Sequence, residues 1–260
     1  MHRVFGRLAM LLACLALAAC DKPERPPQVA AAADLRLALT EVAAAFEHET
    51  GERVALNFGS SGNFYRQLQQ DAPFELFLSA DEAYVTGLAK AGKTLDGGQL
   101  YGVGRLALIA PKGSPLTLDP ALEGLRAALA EGTITRFAIA NPDHAPYGQR
   151  AQEALEHAGL WQPLEGRLVL GENVAQALQF AVDGGAQGGI VAYALVFDPA
   201  IADRAAHVLI PADWHQPLRQ RMVLMKNAGD VAKRFYAYLA EPESRAILEH
   251  YGFSLPQGEN

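Results

Sequence analysis

Apolar positions change period repeatedly along the chain. Val29 to Ala33 is a short apolar run, after which Leu35, Leu39, Val42 and Phe46 recur at helical spacing up to Gly51. Val54–Phe58 predicts a strand, and Ser60-Ser61-Gly62-Asn63 opens a helix that carries Phe64, Tyr65 and Leu68. Phe74–Ala80 predicts a third strand, and a helix starts at Asp81 and ends near Gly92. Further strands are predicted at Gly104–Ala110, Phe137–Ala140, Arg167–Leu170, Gly189–Val196 and Met222–Met225. Helices are predicted from Tyr147 to Gly159, Asn173 to Val182, Asp230 to Ala240 and Pro242 to Tyr251. Such β-α alternation predicts parallel sheets covered on both faces.

The first nineteen residues stand apart. His2, Arg3 and Arg7 precede an apolar stretch from Leu8 to Ala19, the length of a signal-peptide core and short of the roughly 20 residues that span a bilayer. The stretch ends Leu17-Ala18-Ala19-Cys20, which resembles a bacterial lipobox, and this implies lipidation of Cys20 and anchoring of an exported protein to the cell membrane. Residues 20–27 then read as the lipidated cysteine and a charged, proline-rich tether. Cys14 lies in the leader, so the mature chain would keep Cys20 alone and form no internal disulfide.

The remainder, roughly 230 residues, is long for one sheet and predicts two α/β lobes. Crossings between them are expected around Asp96–Gly102 and Gln216–Arg221. That gives a first lobe of 28–103 plus 222–260 and a second of 104–221.

Loss of the leader removes Arg3 and Arg7 and takes the formal net charge from −7 to −9. An acidic chain without a basic run argues against a nucleic-acid partner. It also means that any bound anion must be held by local geometry.

Ligands of open α/β sheets bind beyond the carboxyl ends of strands, where helix N-termini present unpaired N–H groups. Four strand-to-helix junctions share a character: Ala31-Ala32-Ala33-Asp34-Leu35, Phe58 to Tyr65, Asn141 to Gly148, and Gly171-Glu172-Asn173-Val174-Ala175. None contains Lys or Arg; together they offer small residues, hydroxyls and amides fit to enclose a small dianion. Each also has a purely structural reading. Asp34, Ser60 or Ser61 could be helix caps worth about 1 kcal/mol, Pro146-Tyr147-Gly148 an ordinary turn, and Val174 a core residue.

Other chemistries fit less well. A serine hydrolase needs a base near Ser60 or Ser61, and His144 is the nearest candidate, but Gly-Ser-Ser-Gly is not a nucleophile elbow. The seven histidines show no ligand spacing, so neither a cation site nor a cofactor is expected. Tyr65, Tyr101, Tyr147 and Tyr193 could suggest a ferric-ion binder, against which packing is the simpler role. The glycines match neither a phosphate loop nor a dinucleotide fingerprint.

Gly59-Ser60-Ser61-Gly62-Asn63-Phe64-Tyr65, Ala72 to Asp81, Ala140 to Gly148, Gly171 to Val174 and Tyr251-Gly252-Phe253 together resemble the periplasmic molybdate-binding proteins, in one register from Val29 to Phe253. The resemblance implies a type II periplasmic-binding fold with a hinge and a ligand cleft between its lobes. It implies a monomer that is not an enzyme, captures molybdate or tungstate and delivers it to an ABC permease. Another oxyanion, such as sulfate or phosphate, or an anion-sensing lipoprotein, is the alternative. The implied oxyanion contacts are Ala33, Asp34, Ser61, Tyr147 and Val174, with Ser61 giving both hydroxyl and N–H. Many such relatives carry Ser, Thr or Asn near Ala33-Asp34, and some a Tyr where this chain has Ala192. An ionised Asp34 accepts hydrogen bonds only and would repel a dianion. Its carboxylate is therefore expected to turn away and cap its own helix.

Overall fold

The computed structural model describes residues 25–255. The leader, Cys20 and most of the tether lie outside that range. Chain order begins β1 (Gln28–Ala32), a 3-10 turn (Ala33–Leu35), α1 (Arg36–Thr50), β2 (Ala55–Gly59), α2 (Ser61–Gln69), β3 (Leu76–Ser79), α3 (Glu82–Lys90) and β4 (Gln99–Gly104). It continues through β5 (Leu106–Pro111), α4 (Glu123–Ala130), β6 (Phe137–Ala140), α5 (Pro146–His157), α6 (Trp161–Leu164), β7 (Leu168–Gly171), α7 (Val174–Val182) and β8 (Gly189–Ala192). It closes with α8 (Pro199–Ala202), β9 (Ala205–Leu209), β10 (Leu218–Leu224), α9 (Asp230–Tyr238) and α10 (Pro242–His250).

Two five-stranded sheets form, ordered β2-β1-β3-β10-β4 and β7-β6-β8-β5-β9, and each has helices packed on it as one α/β lobe. Neither sheet is all-parallel as the β-α alternation predicts. Strands β1, β2 and β3 pair parallel, as do β6, β7 and β8, but β10 runs antiparallel in the first sheet and β5 in the second. The cause is connectivity: these two strands are where the chain enters each sheet from the other, free of the crossover helix that forces parallel pairing.

Local chemistry explains the elements. Strand β1 is Gln-Val-Ala-Ala-Ala, buried from Val29 onward, and its alanines let both neighbours and both helical layers approach closely. Helix α1 buries Ala38, Leu39, Val42 and Phe46 on one face and stops at Gly51, whose φ of 72° suits a left-handed C-cap. Phe46 packs edge-on to Phe235 and Tyr238, with ring centroids 5.1 and 5.4 Å apart. This links the N-terminal helix to the C-terminal pair in one core on one face of the first sheet. Phe64, Leu68, Val85 and Leu88 cover the other face. Among the described residues, no helix is long and apolar enough to cross a membrane.

Two strands sit where the sequence predicts crossing loops. Gln99–Gly104 and the beginning of β10 at Leu218 are both paired in the first sheet, so the return from the second lobe lies between Leu209 and Leu218. Conversely, the strand expected over Gly189–Val196 ends at Ala192 and tightens into a 3-10 turn at Tyr193–Leu195.

The registers matter most for the site. Ala32 pairs with Gly59 at the ends of β1 and β2, and Ala140 with Gly171 at the ends of β6 and β7. Two helical starts therefore lie side by side at the edge of each sheet.

Candidate functional site

The four junctions meet. A cavity of about 10 Å³ is lined by Ala32, Ala33, Asp34, Gly59, Ser60, Ser61 and Ala80 of the first lobe and by Ala145, Pro146, Tyr147, Asn173 and Val174 of the second. It is smaller than the roughly 300–1,000 Å³ of pockets that take drug-sized organic ligands. All five residues implied by the family resemblance, Ala33, Asp34, Ser61, Tyr147 and Val174, are on its wall. Among the described residues, no Lys, Arg or His is, and Asp34 is the one carboxyl group there.

Neither serine caps α2 with its side chain. Ser60, at the N-cap position, instead donates its hydroxyl to the His144 carbonyl oxygen of the other lobe (2.5 Å). Ser61 Oγ accepts the Ala80 N–H (3.0 Å) and keeps its own proton to donate. In α5, Pro146 at the first position has no N–H, and the Gly148 N–H is engaged by the Ala145 carbonyl (2.9 Å). Tyr147 thus supplies the first amide of that helix. In α7, the Asn173 side chain accepts from the N–H groups of Ala175 and Gln176 (3.0 and 3.1 Å), and Val174 is the first helical residue. First-turn amides have no partner within their own helix, and the helix dipole adds partial positive charge there. Apart from the Asp34 carboxyl, the wall is therefore made of neutral dipoles with positive ends at the helix starts.

Asp34 departs from expectation. It makes no side-chain cap to its own helix. Its Oδ2 accepts from Tyr147 Oη (2.9 Å), across the cleft, and from Gln220 Nε2 (2.6 Å). Gln220 is itself oriented by the Tyr101 hydroxyl on its Oε1 (2.6 Å). The other carboxyl oxygen, Oδ1, makes no hydrogen bond and is buried. Longer-range donors outcompete the cap because the 3-10 turn places the carboxyl beneath the sheet end, 1 % exposed. Burial pushes its pKa up to about 6; the Gln220 and Tyr147 hydrogen bonds, then the backbone N–H groups of Asp34 and Leu35, act against that rise. Burial and the nearby Asp34 hold the Tyr147 and Tyr101 phenols well above their usual range. Gly104 makes room for this network: a Cβ there would lie 2.2 Å from Tyr147 Oη and 2.6 Å from Gln220 Nε2.

The lobes touch at the rim. The Gly62 N–H also donates to the His144 carbonyl (3.0 Å), and Asn63 bonds Glu172. His144 Nδ1 is 3.0 Å from Ser60 Oγ, and its Nε2 is 3.6 Å from Glu172 Oε2. This row is not a nucleophile–base pair. The carbonyl can only accept, so the serine proton points to it, and Nδ1 must then carry a proton to bond Ser60. Tyr193 does not stand in for the aromatic that some relatives place near Ala192. Its ring packs on Phe197, centroids 5.0 Å apart, and it is not among the cavity-lining residues.

Gln220, Tyr101 and the His144 carbonyl were not anticipated as parts of the site. For Gln220 one local signal exists: Leu218, Gln220 and Met222 alternate with Arg219 and Arg221, which puts a polar residue on a buried strand face.

Two α/β lobes of like topology that close on a small, cation-free, donor-lined cavity define a two-lobed solute-binding protein. The chain belongs to the bacterial extracellular solute-binding proteins, whose family model matches residues 27–254. It is 36 % identical over 250 residues to the molybdate-binding protein ModA of Azotobacter vinelandii, covering 95 % of this chain and 94 % of that one. It is 35 % identical over 227 residues to ModA of Rhodobacter capsulatus, covering 86 % of each. The solved periplasmic molybdate-binding protein of Azotobacter vinelandii superposes with a TM-score of 0.80 at 32 % identity, over 89 % of this chain and 100 % of that one. The fold is thus the type II periplasmic-binding fold implied by the resemblance, and the protein acts outside the cytoplasm as a solute-binding component.

Proposed function

We propose that the protein captures molybdate, and tungstate alongside it, and delivers the ion to an ABC permease as a monomer anchored through a lipid on Cys20. The observation that carries this reading is the meeting of four cation-free helix starts around one small cavity between the lobes. The similarity to two proteins named for molybdate binding supports the choice of ion. The contacts assigned to the ion's oxygens are the amides of Ala33 and Asp34, the hydroxyl and N–H of Ser61, and the amides of Tyr147 and Val174. Nothing in this set bonds the metal itself, and no resident cofactor is needed.

Capture requires no chemistry. An open form exposes two half-sites, and an anion that bridges them stabilises the closed form because only that form supplies every donor. Desolvation in the closed cavity strengthens each hydrogen bond. Cavity size then favours molybdate and tungstate over the smaller sulfate, and separates the two larger ions poorly. In this reading the first lobe is 28–104 with the segment from Leu218 onward, and the second spans the strands between.

The test is calorimetric titration of the soluble chain, without leader or lipid, against molybdate, tungstate, sulfate and phosphate. Tight binding of the first two with little heat from the others is expected. Tight sulfate binding with no response to molybdate would overturn the assignment of the ion.

A further inference from the structure

We propose that Asp34 meets the captured anion as a protonated acid whose carboxyl O–H donates a hydrogen bond, so that at alkaline pH binding takes up one proton from solvent and the acid group completes the donor set. This rests on the oxyanion reading of the cavity.

The geometry singles out one oxygen. Asp34 is 1 % exposed and lines the cavity. Both of its side-chain donors, Tyr147 Oη at 2.9 Å and Gln220 Nε2 at 2.6 Å, converge on Oδ2. Gln220 cannot turn its amide round without losing the Tyr101 hydroxyl from Oε1. With Oδ2 facing two donors, a proton on the carboxyl belongs on Oδ1, and Oδ1 is the buried atom with no partner. As a carboxylate, Asp34 on the cavity wall would set a negative charge beside a dianion; as an acid, it offers an O–H.

Burial favours the acid and outweighs the hydrogen bonds that favour the carboxylate. From α5 the facing titratable group is Tyr147 and from β4 it is Tyr101, both neutral phenols held high by burial. Strand β10 contributes the neutral Gln220, α2 the hydroxyls of Ser60 and Ser61, and α7 the carboxamide of Asn173. His144, in the loop before α5, directs Nδ1 to Ser60. The influences resolved on the Asp34 carboxyl include no Lys, Arg or His. Burial has already raised its pKa to about 6, and a dianion in the same cavity raises it further.

The pH dependence follows by linkage. Below about pH 6 the free protein already holds the proton, and affinity is level. Above it, up to the higher value in the complex, each capture must take a proton from solvent, and affinity falls about tenfold per pH unit. The experiment is calorimetric titration of the soluble chain with molybdate from about pH 5.5 to 8.5, in pairs of buffers with different ionisation enthalpies. The wild type is expected to take up close to one proton near pH 8, with the tenfold slope. Asp34→Asn, which replaces the O–H with an N–H donor, is expected to lose both and to bind more tightly than wild type at the alkaline end. The variant also carries any titration of the ion itself. Wild-type binding without proton uptake overturns the inference and leaves the capture reading intact, and this needs no variant. Equal uptake by wild type and Asp34→Asn overturns it as well. No heat with molybdate at any pH overturns the capture reading and the inference with it.

Discussion

Gly62→Ala separates closure from folding. Gly62 lies in the first turn of α2, and its φ is not in the left-handed region, so alanine suits its backbone. The obstacle is across the cleft: an added Cβ would sit 2.4 Å from the His144 carbonyl oxygen and 3.1 Å from its carbon. A carbon–oxygen contact wants about 3.3 Å or more, so the rim must open by roughly 1 Å. That lengthens both hydrogen bonds to this carbonyl, from the Gly62 N–H (3.0 Å) and from Ser60 Oγ (2.5 Å). At about 0.5–1.5 kcal/mol net for each, the closed form loses about 1–3 kcal/mol. Affinity should then fall roughly 5- to 140-fold. The Tyr84 hydroxyl, 2.9 Å from the same Cβ, is the end of a flexible side chain and can yield. Within the first lobe, alanine in place of a helical glycine stabilises by up to about 1 kcal/mol. The melting temperature without ligand should therefore hold or rise while calorimetry shows weaker binding. Unchanged affinity in a well-folded variant would refute the claim that this rim contact belongs to the liganded state.

Other changes act on separate parts of the wall. Ser61→Ala removes a donor and strands the buried Ala80 N–H, so it should destabilise by about 1–3 kcal/mol and weaken molybdate binding at least about tenfold; full affinity in calorimetry would return Ser61 to a purely structural role. Asp34→Asn should stabilise the free protein at alkaline pH. The Asp34 carboxyl rises from 3.8 to about 6 on folding, so the folded state binds protons more tightly and wild-type stability falls as pH climbs through that window. The deficit reaches up to about 3 kcal/mol above it; urea melts at pH about 8 and about 4 should show the variant's advantage shrinking at the lower value, and a constant difference would contradict this. Asn173→Ala removes the acceptor for the Ala175 and Gln176 amides and should cost about 1 kcal/mol in a thermal melt, while no loss would mean that water replaces the cap.

Much of this was legible in the sequence, for local reasons. Strands buried on both faces read as plain apolar runs, as at Val29–Ala33 and Phe137–Ala140, and the helices beside them keep a clear apolar stripe. Because ligands of such sheets gather where strands end and helices begin, the four junctions could be named before their meeting was visible. The failures are long-range. Asp34 looks like a cap from its neighbours, but its partners are 113 and 186 residues away. Strand β4 hides behind two glycines, and the first half of β10 behind two arginines and a glutamine, so neither stretch reads as an apolar strand. The register of β10 against β4 also shifts between Gln220 and Arg221. The His144 carbonyl is a backbone atom with no side-chain signal, and only the approach of the lobes gives it a role.

The central claim is that one small oxyanion is held between four cation-free helix starts. Crystals grown with molybdate, with diffraction recorded at the molybdenum absorption edge, locate the metal without reference to any assumed pose. The account predicts one anomalous peak inside the cavity bounded by Asp34, Ser61, Tyr147 and Val174, with its oxygens within hydrogen-bond distance of Ser61 Oγ and the Tyr147 and Val174 amides. A peak elsewhere, or a cavity left without one while the protein binds the ion in solution, would contradict it.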